Sequence, residues 1–368
     1  MKKKILAVFG TRPEAIKMCP LIKKLEESKS FEVITCLTGQ HEEIIDEVLK
    51  NFDAKANYNL HALKEKQSLI KLSSTILKNL DDVFESEKPD ITLVHGDTTS
   101  ALCGAISSFY NKVQIGHVEA GLRTYNLSSP FPEEGNRIMI DSISKFCFAP
   151  TKLNVDNLKK EGKKENVFLT GNTVIDSFAY TVCENYIFKD KKLRSVNFDK
   201  KTILVTAHRR ENQNGGIEQI CKSLLKLASM FADIQFILPV HPNPRVKVVV
   251  NNYLEGKRNI LLTEPFSVLY MHNLLPKLFF VMTDSGGLQE EAPHFGKPVL
   301  VLRDTTERPE ALEAGTVKLC GTDVGKIVRN ALKLLTDDHF YKKMAHAVNP
   351  FGDGHACERI CKILQDKL

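Results

Sequence analysis

The regular alternation of short apolar runs with longer amphipathic segments limits the possible folds more than any other feature of the sequence. Runs such as ILAVFG, at 5–10, have the length and the β-branched or aromatic content of a buried strand. Segments such as 69–84 repeat their apolar residues at helical spacing. This alternation predicts parallel sheets covered by helices. The predicted strands are ILAVFG, FEVITCLTG, ITLVHG, VQIGHVEA, KFCFAP and NVFLTG, followed by TILVTAH, IQFILPVH, NILLTEP, LFFVMTD, PVLVLRD and VKLCG.

The strands form two sets, which the charged stretch FKDKKLRSVNFDKK at 188–201 separates. A chain of 368 residues is also longer than one hydrophobic core usually supports. We therefore predict an α/β protein with two doubly wound, Rossmann-like parallel-sheet domains, joined between about Gly171 and Lys201. Because ligands bind at the carboxyl ends of the strands in such sheets, two facing domains would share a central cleft.

Composition narrows the class of protein. Hydrophobic residues make up 42% and charged residues 26% of the chain, as in an ordinary globular protein. The net charge of +6 comes from interleaved acidic and basic residues, which argues against nucleic-acid binding. No apolar run is long enough for a bilayer span, and the run after MKKK is too short for a signal peptide. Nine cysteines without framework spacing predict reduced thiols in a cytoplasmic protein, and Cys357 and Cys361 lack the further ligands of a metal site.

Polar residues with candidate chemistry follow directly after the predicted strands. In FGTRPEAIK, Arg12 lies at the start of a helix that Pro13 can begin. An arginine at a helix N-terminus suits a phosphate or diphosphate, although a surface arginine at a turn is the alternative. This turn lacks the G-x-G-x-x-G pattern of dinucleotide-binding domains, which argues against NAD.

Three carboxylates follow two neighbouring strands. Asp97 follows ITLVHG, Glu119 ends VQIGHVEA, and Glu133 comes after PFP. Taken alone, Asp97 would be a helix N-cap. Carboxylates at the tips of adjacent strands can instead reach one cleft, where burial and mutual repulsion provide a general acid and a general base. Glu134, the next residue on the starting helix, is expected on the surface or near the helix dipole.

The second half contains a matching group of polar residues. TAHRREN places His208 and two arginines after a strand, which suits an anionic substrate, with a structural histidine as the alternative. TDSGGLQEE enters a helix through the SGG turn at 285–287, whose N–H groups would face phosphate oxygens. Glu291, one turn inside that helix, could accept from two ribose hydroxyls, and Arg308 could supply the counter-charge.

Longer segments carry a more specific signal. They are FGTRPEAIKM, TGQHEEIIDEVL, PDITLVHGDTTSAL, GHVEAGLRT, SPFPEEGNR, FLTGNTVIDS, LVTAHRREN, PVHPNP, TDSGGLQEEAPHFGKPVLVLRDTTERPEALEAGTVKLCGTD and NPFGDGHACERI. In this order, and over essentially the whole chain, they resemble the non-hydrolysing UDP-N-acetylglucosamine 2-epimerases. The resemblance implies the GT-B arrangement, with a C-terminal helix that returns to the first domain. It implies a Rossmann-like domain at 1–171, joined by about 354–368, and a UDP-binding Rossmann-like domain at 172–353.

The resemblance also implies an isomerase that reversibly interconverts UDP-N-acetylglucosamine and UDP-N-acetylmannosamine, a precursor of bacterial surface polysaccharide. UDP would be eliminated to give 2-acetamidoglucal and then added back, with the proton delivered to the opposite face of the sugar's C2. No metal or organic cofactor is implied, since positive side chains and helix ends stabilise the leaving group. A homodimer, and a second UDP-N-acetylglucosamine molecule that acts as an allosteric activator, are also implied.

Matching motifs imply three sets of site residues. The catalytic set is Asp97, Glu119, Glu133 and His208. The substrate-binding set is Arg12, Lys17, Ser285, Gly286, Gly287 and Arg308, with Glu291 on the ribose. The allosteric candidates are Gln40, Gln67, Arg209, Glu211 and His241.

One loop departs from the family form, because EPFSVLYMHNLL has Val268 in place of Tyr and Met271 in place of Phe. The resemblance implies that this loop contacts the uracil ring, so Phe266 and Met271 leave the form of the base pocket open.

Three alternatives share parts of this pattern. A hydrolysing 2-epimerase would release free N-acetylmannosamine and UDP, a GT-B glycosyltransferase would share the architecture, and a nucleotide-sugar binding protein would share the fold without activity. The GTRPEAIK and RDTTERPE forms argue against the first. Three carboxylates at the strand tips argue against the other two.

Overall fold

The computed structural model describes residues 2–39, 42–63, 67–209, 212 and 215–368, without the side chains of 42–44. The described chain divides into two compact units. The first unit runs to Thr181 and includes Phe351–Leu368, and the second is Val182–Pro350. Residues 172–181 therefore lie in the first unit, beyond the boundary expected at Gly171.

Each unit contains one parallel sheet. The strands of the first unit are β1 (Lys3–Phe9), β2 (Phe31–Leu37), β3 (Tyr58–Asn59), β4 (Ile91–His95), β5 (Gln114–Val118), β6 (Phe146–Ala149) and β7 (Val167–Leu169). Those of the second unit are β8 (Thr202–Thr206), β9 (Gln235–Pro239), β10 (Ile260–Thr263), β11 (Phe280–Thr283), β12 (Val299–Val301) and β13 (Val317–Leu319). The predicted fold class is confirmed, and β3 is a two-residue strand that the sequence pattern did not predict.

The strand order decides where sites can form. The first sheet has the order β3-β2-β1-β4-β5-β6-β7, and the second has the order β10-β9-β8-β11-β12-β13. The direction of winding reverses between β1 and β4 in the first sheet and between β8 and β11 in the second. Such a switch point opens a crevice at the carboxyl ends of the strands, where ligands bind.

Helices connect the strands and cover the sheets. In the part of the first unit that ends at Thr181, the helices are α1 (Arg12–Glu27), α2 (Glu42–Asn51), α3 (Leu69–Glu87), α4 (Thr99–Tyr110), α5 (Glu133–Ile143), α6 (Lys152–Lys160), α7 (Thr173–Asp176) and α8 (Phe178–Thr181). Those of the second unit are α9 (Lys191–Arg194), α10 (Gly216–Met230), α11 (Pro244–Leu254), α12 (Val268–Leu274), α13 (Gly286–Glu291), α14 (Pro309–Ala314), α15 (Val324–Thr336) and α16 (Asp338–Ala345). The last helix is α17 (Ala356–Lys367), which belongs to the first unit. In the described ranges, none of these helices is both long and apolar enough to span a membrane.

Each unit has a core of its own. The core of the first unit joins apolar side chains of the sheet with those of α3 and α4, and it includes Leu6, Val8 and Val94 of the sheet, Ile76 and Leu80 of α3, and Ala101 of α4. The second core lies under α10 and α15 and includes Val205, Phe236, Phe280, Leu224 and Leu334. Both faces of these strands are buried, as expected for parallel sheets, and this explains why their sequences are continuously apolar.

The C-terminal helix α17 packs against α1. The Asp176 carboxylate accepts hydrogen bonds from the N–H groups of Ala356 (3.2 Å) and Cys357 (2.7 Å), so it caps α17 from another helix. The Gln365 side chain donates to Ser28 Oγ at 2.9 Å, just past the end of α1. Cys357 and Cys361 are buried free thiols on the packed face of α17, as predicted.

Candidate functional site

The first group of candidate residues lies at the carboxyl ends of β1, β4 and β5, which are adjacent in the sheet. The chain leaves β1 into Arg12, leaves β4 into Asp97 and leaves β5 into Glu119. These three loops therefore lie side by side at the carboxyl edge of the first sheet, where the sequence predicts a site, and those after β1 and β4 flank its switch point.

Asp97 is held by the first turns of α5. Its Oδ2 accepts from Arg137 Nε at 2.8 Å and lies 2.6 Å from Arg137 Nη2. Its backbone carbonyl accepts from Asn136 Nδ2 at 2.7 Å. The N-cap of α4 is Thr98, whose hydroxyl accepts from the N–H of Ala101 at 3.0 Å. Asp97 is therefore not the N-cap, and its carboxylate stands free of that structural role.

Glu119 lies in an unusual backbone conformation at the end of β5. Its φ of 66° is in the left-handed region, which non-glycine residues seldom adopt and which is often found at functional sites. Its carboxylate forms an ion pair with Lys17 and accepts from Asn172 Nδ2 at 3.1 Å. His95 Nε2 lies 3.6 Å from the same carboxylate, and burial lowers the pKa of His95 to about 3, so this ring is neutral. Lys17, which was expected to bind substrate, thus has its ammonium group on Glu119.

Glu133 has different surroundings from the other two acids. It is the first residue of α5, and the peptide bonds preceding Pro130 and Pro132 are cis. Its Oε2 is buried and makes no hydrogen bond to any group in the described part of the chain. Asp97 and Glu119 each face a cation, so the expected mutual repulsion of the carboxylates is not the arrangement that the structure shows.

Glu134 lies in the first turn of α5, near the helix dipole as expected, but the expected surface position is wrong. Its side chain is 0% exposed and accepts hydrogen bonds from the N–H groups of Thr124 (2.9 Å) and Tyr125 (2.8 Å). Arg137 Nη1 also donates to it at 3.0 Å. The loop that follows β5 folds over the start of α5 and covers this carboxylate, a path that no local sequence pattern reveals.

Glu14 is a buried acid that the sequence reasoning missed. Its Oε2 accepts from the N–H groups of Gly10 (3.0 Å) and Thr11 (2.7 Å), and its Oε1 accepts from Thr98 Oγ1 at 2.6 Å. Burial raises the pKa of Glu14 to about 7, against the opposing effect of these hydrogen bonds. The T-x-x-E spacing from Thr11 to Glu14 is a capping-box signal and could have revealed half of this arrangement. Glu14 therefore ties the loop after β1 to the loop that carries Asp97.

The second group of candidates lies at the switch point between β8 and β11. His208 Nδ1 is 3.0 Å from Asp284 Oδ1, and Asp284 Oδ2 accepts from the N–H groups of His208 and Arg209, both at 2.8 Å. Burial alone would raise the pKa of the fully buried Asp284, but its bonds with His208 and these N–H groups lower it. The His208 side chain remains 40% exposed beside this buried carboxylate. Asp284 was missed because its partners lie far away in the sequence.

Two guanidinium groups meet at the start of α13. Ser285 is the N-cap, and Gly286 and Gly287 are the first helical residues. A Cβ atom on Gly286 would lie 3.7 Å from Arg209 Nη2 and 3.9 Å from Arg308 Nη2. Free N–H groups beside two positive side chains can bind a diphosphate.

Two further acids lie in α13 itself. Arg308 forms an ion pair with the buried Glu290 at the same helix. Glu291, at the end of α13, lies 3.8 Å from His272 Nε2 through its Oε2 and is half-buried. Glu291, for which a ribose contact was expected, thus lies at the end of the helix that starts at Gly286.

The allosteric candidates are divided between the two units. Gln40 and Glu211 lie outside the described residues. Gln67 belongs to the first unit, whereas Arg209 lies beside Gly286 in the second. The His241 ring stacks on His208, with centroids 5.9 Å apart, and burial together with the nearby His208 lowers the pKa of His241.

The loop that departs from the family form begins α12. Val268 is buried in the first turn of this helix, and Met271 is half-buried. Phe266 is also buried, and its ring centroid lies 6.4 Å from that of Tyr270, whose hydroxyl accepts from the N–H of Asp190 at 3.2 Å. The substituted residues are therefore part of the packing of the second unit.

Comparison with known proteins shows the family and the fold. Residues 23–365 match the family model described as UDP-N-acetylglucosamine 2-epimerase. The chain is 48% identical over 374 residues to UDP-N-acetylglucosamine 2-epimerase of Campylobacter jejuni, covering 99% of this chain and 98% of the relative. It is 48% identical over 366 residues to the Bacillus subtilis enzyme of the same name, covering 99% and 96%. The crystal structure of UDP-GlcNAc 2-epimerase from Neisseria meningitidis bound to UDP-GlcNAc superposes with a TM-score of 0.92 at 44% identity, covering 99% and 100%. The chain therefore belongs to the UDP-N-acetylglucosamine 2-epimerase family.

Proposed function

We propose that this protein reversibly interconverts UDP-N-acetylglucosamine and UDP-N-acetylmannosamine without net hydrolysis. A base removes the proton from C2 of the sugar, the C1–O bond breaks, and UDP departs with the bonding electron pair. The product is 2-acetamidoglucal, which has a double bond between C1 and C2. UDP then adds back to C1 while an acid delivers a proton to the opposite face of C2, so that atoms and charge balance over the cycle.

The observation that carries this proposal is the set of three carboxylates in the first unit that follow β4, follow β5 and begin α5. Asp97 is paired with Arg137, Glu119 is paired with Lys17, and Glu133 makes no such pair within the described chain. Inversion at C2 needs one group that accepts a proton and another that supplies it on the other face. Three acids in different electrostatic surroundings support this division of roles.

The second unit supports the departure of UDP. Negative charge develops on the diphosphate as the C1–O bond breaks, and fixed positive groups stabilise it. Arg308 and Arg209 lie beside the Gly286 backbone for this purpose, and Glu291 is the proposed ligand of the ribose hydroxyls. His208, oriented by Asp284, is proposed to assist the leaving group.

The proposal also includes two finer properties that the family resemblance implies. We expect a homodimer, which light scattering of the purified protein would detect as twice the chain mass. We also expect activation by a second UDP-N-acetylglucosamine, which would give a sigmoidal dependence of the initial rate on substrate concentration. The product would be used in bacterial surface polysaccharide synthesis.

The decisive experiment follows the sugar's C2 by proton NMR after UDP-N-acetylglucosamine is added in D₂O. We expect UDP-N-acetylmannosamine that carries deuterium at C2, in equilibrium with the substrate. Accumulation of free N-acetylmannosamine and UDP would show a hydrolysing enzyme instead. An unchanged spectrum would favour a binding protein or a glycosyltransferase without its acceptor.

A further inference from the structure

A buried polar chain lies beneath the loops that carry Asp97 and Glu119. His117, in β5, is 0% exposed, and its Nδ1 lies 2.6 Å from Asp141 Oδ1. Asp141 Oδ2 lies 2.7 Å from Arg123 Nη2, and the same Nη2 donates to Glu161 Oε2 at 2.6 Å. The Arg123 side chain is also fully buried, so the buried charges of Asp141 and Arg123 compensate each other, whereas Glu161 at the end of the chain is partly exposed.

This chain contacts both of the loops on which the proposed chemistry depends. His117 Nε2 lies 2.7 Å from the carbonyl oxygen of Gly96, the residue directly before Asp97. The N–H of Gly121, two residues after Glu119, donates to Asp141 Oδ2 at 3.2 Å. The pair of His117 and Asp141 therefore fixes the backbone just before Asp97, at Gly96, and just after Glu119, at Gly121.

The two partners of His117 are a side chain and a backbone group, and its two bonds therefore have different effects. Asp141 presents a carboxylate oxygen to one ring nitrogen, and Gly96 presents its backbone carbonyl oxygen to the other. Gly96 has a φ of 64°, and its carbonyl faces the ring inside the sheet edge, where an unpaired carbonyl would be costly. The bond to Gly96 thus sets the position of the Asp97 loop, whereas the bond to Asp141 fixes the orientation of the ring.

We propose that His117 is a positioning residue, and that its bond to the Gly96 carbonyl, supported by Asp141, sets the spacing of Asp97 and Glu119. This inference rests on the proposed function, because the spacing matters only if both acids act on one substrate. A displacement of about 1 Å at a reacting group can lower a rate about a hundred-fold.

Two substitutions separate the two bonds of His117. His117→Gln places an amide where Nε2 lies and retains a donor toward Gly96, while it loses the bond to Asp141. His117→Asn places an amide where Nδ1 lies and retains the bond to Asp141, while it leaves the Gly96 carbonyl unpaired. His355→Asn is the matched control, because His355 is an exposed histidine before α17 in the same unit.

The measurements are kcat and KM for UDP-N-acetylglucosamine, UDP affinity by calorimetry, and the thermal transition. We expect the glutamine variant to keep kcat within about ten-fold of the wild type, and the asparagine variant to fall at least about ten-fold further. KM and UDP affinity should stay within about two-fold in both, and the control should match the wild type. A merely structural histidine predicts the reverse order, since asparagine retains the partner of the buried Asp141.

Equal losses in the two variants, or a better asparagine variant, would overturn the proposal. If the asparagine variant does not fold, the glutamine variant decides the question alone: a loss of kcat beyond about ten-fold contradicts the proposal. The wild type is measured in the same assay. An inactive wild type refutes the proposed function, whereas an active wild type with unaltered asparagine variant refutes only the role of His117.

Discussion

Asp97 and Glu119 each meet a cation from a helix that is distant in sequence. Arg137 lies 40 residues after Asp97, and Lys17 lies 102 residues before Glu119. Such pairs hold the carboxylates in fixed positions. Arg137 is also the partner of the buried Glu134, so one guanidinium serves two acids.

The fork of Arg137, by which we mean the two guanidinium nitrogens Nε and Nη2 that reach Asp97 Oδ2, can be tested by substitution. Arg137→Lys keeps the charge but loses the paired donors that reach Asp97. We expect kcat for UDP-N-acetylglucosamine to fall by about ten- to a hundred-fold, with UDP affinity unchanged. Arg359→Lys is the matched control, because Arg359 makes an exposed ion pair with Asp353. A kcat within two-fold of the wild type would exclude a role for the fork.

Glu14 gives a prediction for the pH dependence of stability. Burial raises the pKa of Glu14 from 4.5 to about 7, so the folded protein holds this proton more tightly than the unfolded chain does. The contribution of protonated Glu14 to the free energy of unfolding is therefore complete below pH 4.5, and it is lost as the pH rises to about 7. Glu14→Gln resembles the protonated form and removes this loss.

We compare the free energy of unfolding of the glutamine variant with that of the wild type. The difference between the two proteins should shift in favour of the variant by about 3 kcal/mol from pH 4.5 to pH 8. The measurement is the free energy of unfolding in urea at both pH values for both proteins. Glu32→Gln, at an exposed position, serves as the control. A difference between the proteins that is the same at both pH values would show that Glu14 is ionised throughout.

At the scale of the elements, the strands were predictable because their signals are local. Continuous apolar runs of strand length appear in the sequence itself, and the loops after them could be assigned to the sheet edge. The two-residue β3 offers too short a run to detect. The burial of Glu134 could not be predicted, because it depends on where the N–H groups of Thr124 and Tyr125 come to lie. Local pattern thus located the site but not its ion pairs.

The capping of α17 by Asp176 is testable at this scale. Asp176→Ala leaves the N–H groups of Ala356 and Cys357 without their acceptor, and we expect a loss of about 1–2 kcal/mol in the free energy of unfolding. Amide hydrogen exchange along 356–367 should accelerate. Asp353→Ala is the control, because this aspartate forms an exposed ion pair worth less than about 1 kcal/mol. Unchanged exchange in the Asp176 variant would show that α17 is held by packing alone.

At the scale of the whole molecule, the proposed chemistry and the proposed UDP binding belong to different units. The acids Asp97, Glu119 and Glu133 lie in the first unit, and Gly286 and Arg308 lie in the second. Substitutions in the two units should therefore affect different measurable properties.

Gly286→Ala tests the second unit. The new Cβ would meet no atom closer than 3.7 Å, so the fold should tolerate it, but it would fill the space between Arg209 and Arg308. We expect the UDP dissociation constant to rise at least about ten-fold, which corresponds to about 1.4 kcal/mol, with an unchanged thermal transition. Gly325→Ala, on α15, is the control. Wild-type UDP affinity in the Gly286 variant would place the diphosphate elsewhere.

Glu119→Gln tests the first unit. We expect deuterium exchange at C2 to be abolished, since the amide cannot accept a proton, while UDP affinity stays within about two-fold. Glu26→Gln, an exposed substitution on α1, controls for the loss of one charge. Exchange at the wild-type rate would remove Glu119 from the catalytic set.

The return of the chain to the first unit has a consequence for its synthesis. The helix α17 packs on α1, but the 169 residues of Val182–Pro350 are translated after the rest of the first unit and before α17. At ordinary elongation rates of about 5–20 residues per second, this takes roughly 10–30 s. During that time the apolar face of α1 that α17 covers is open on the ribosome. The nascent first unit is thus a natural client for chaperones until its last helix emerges.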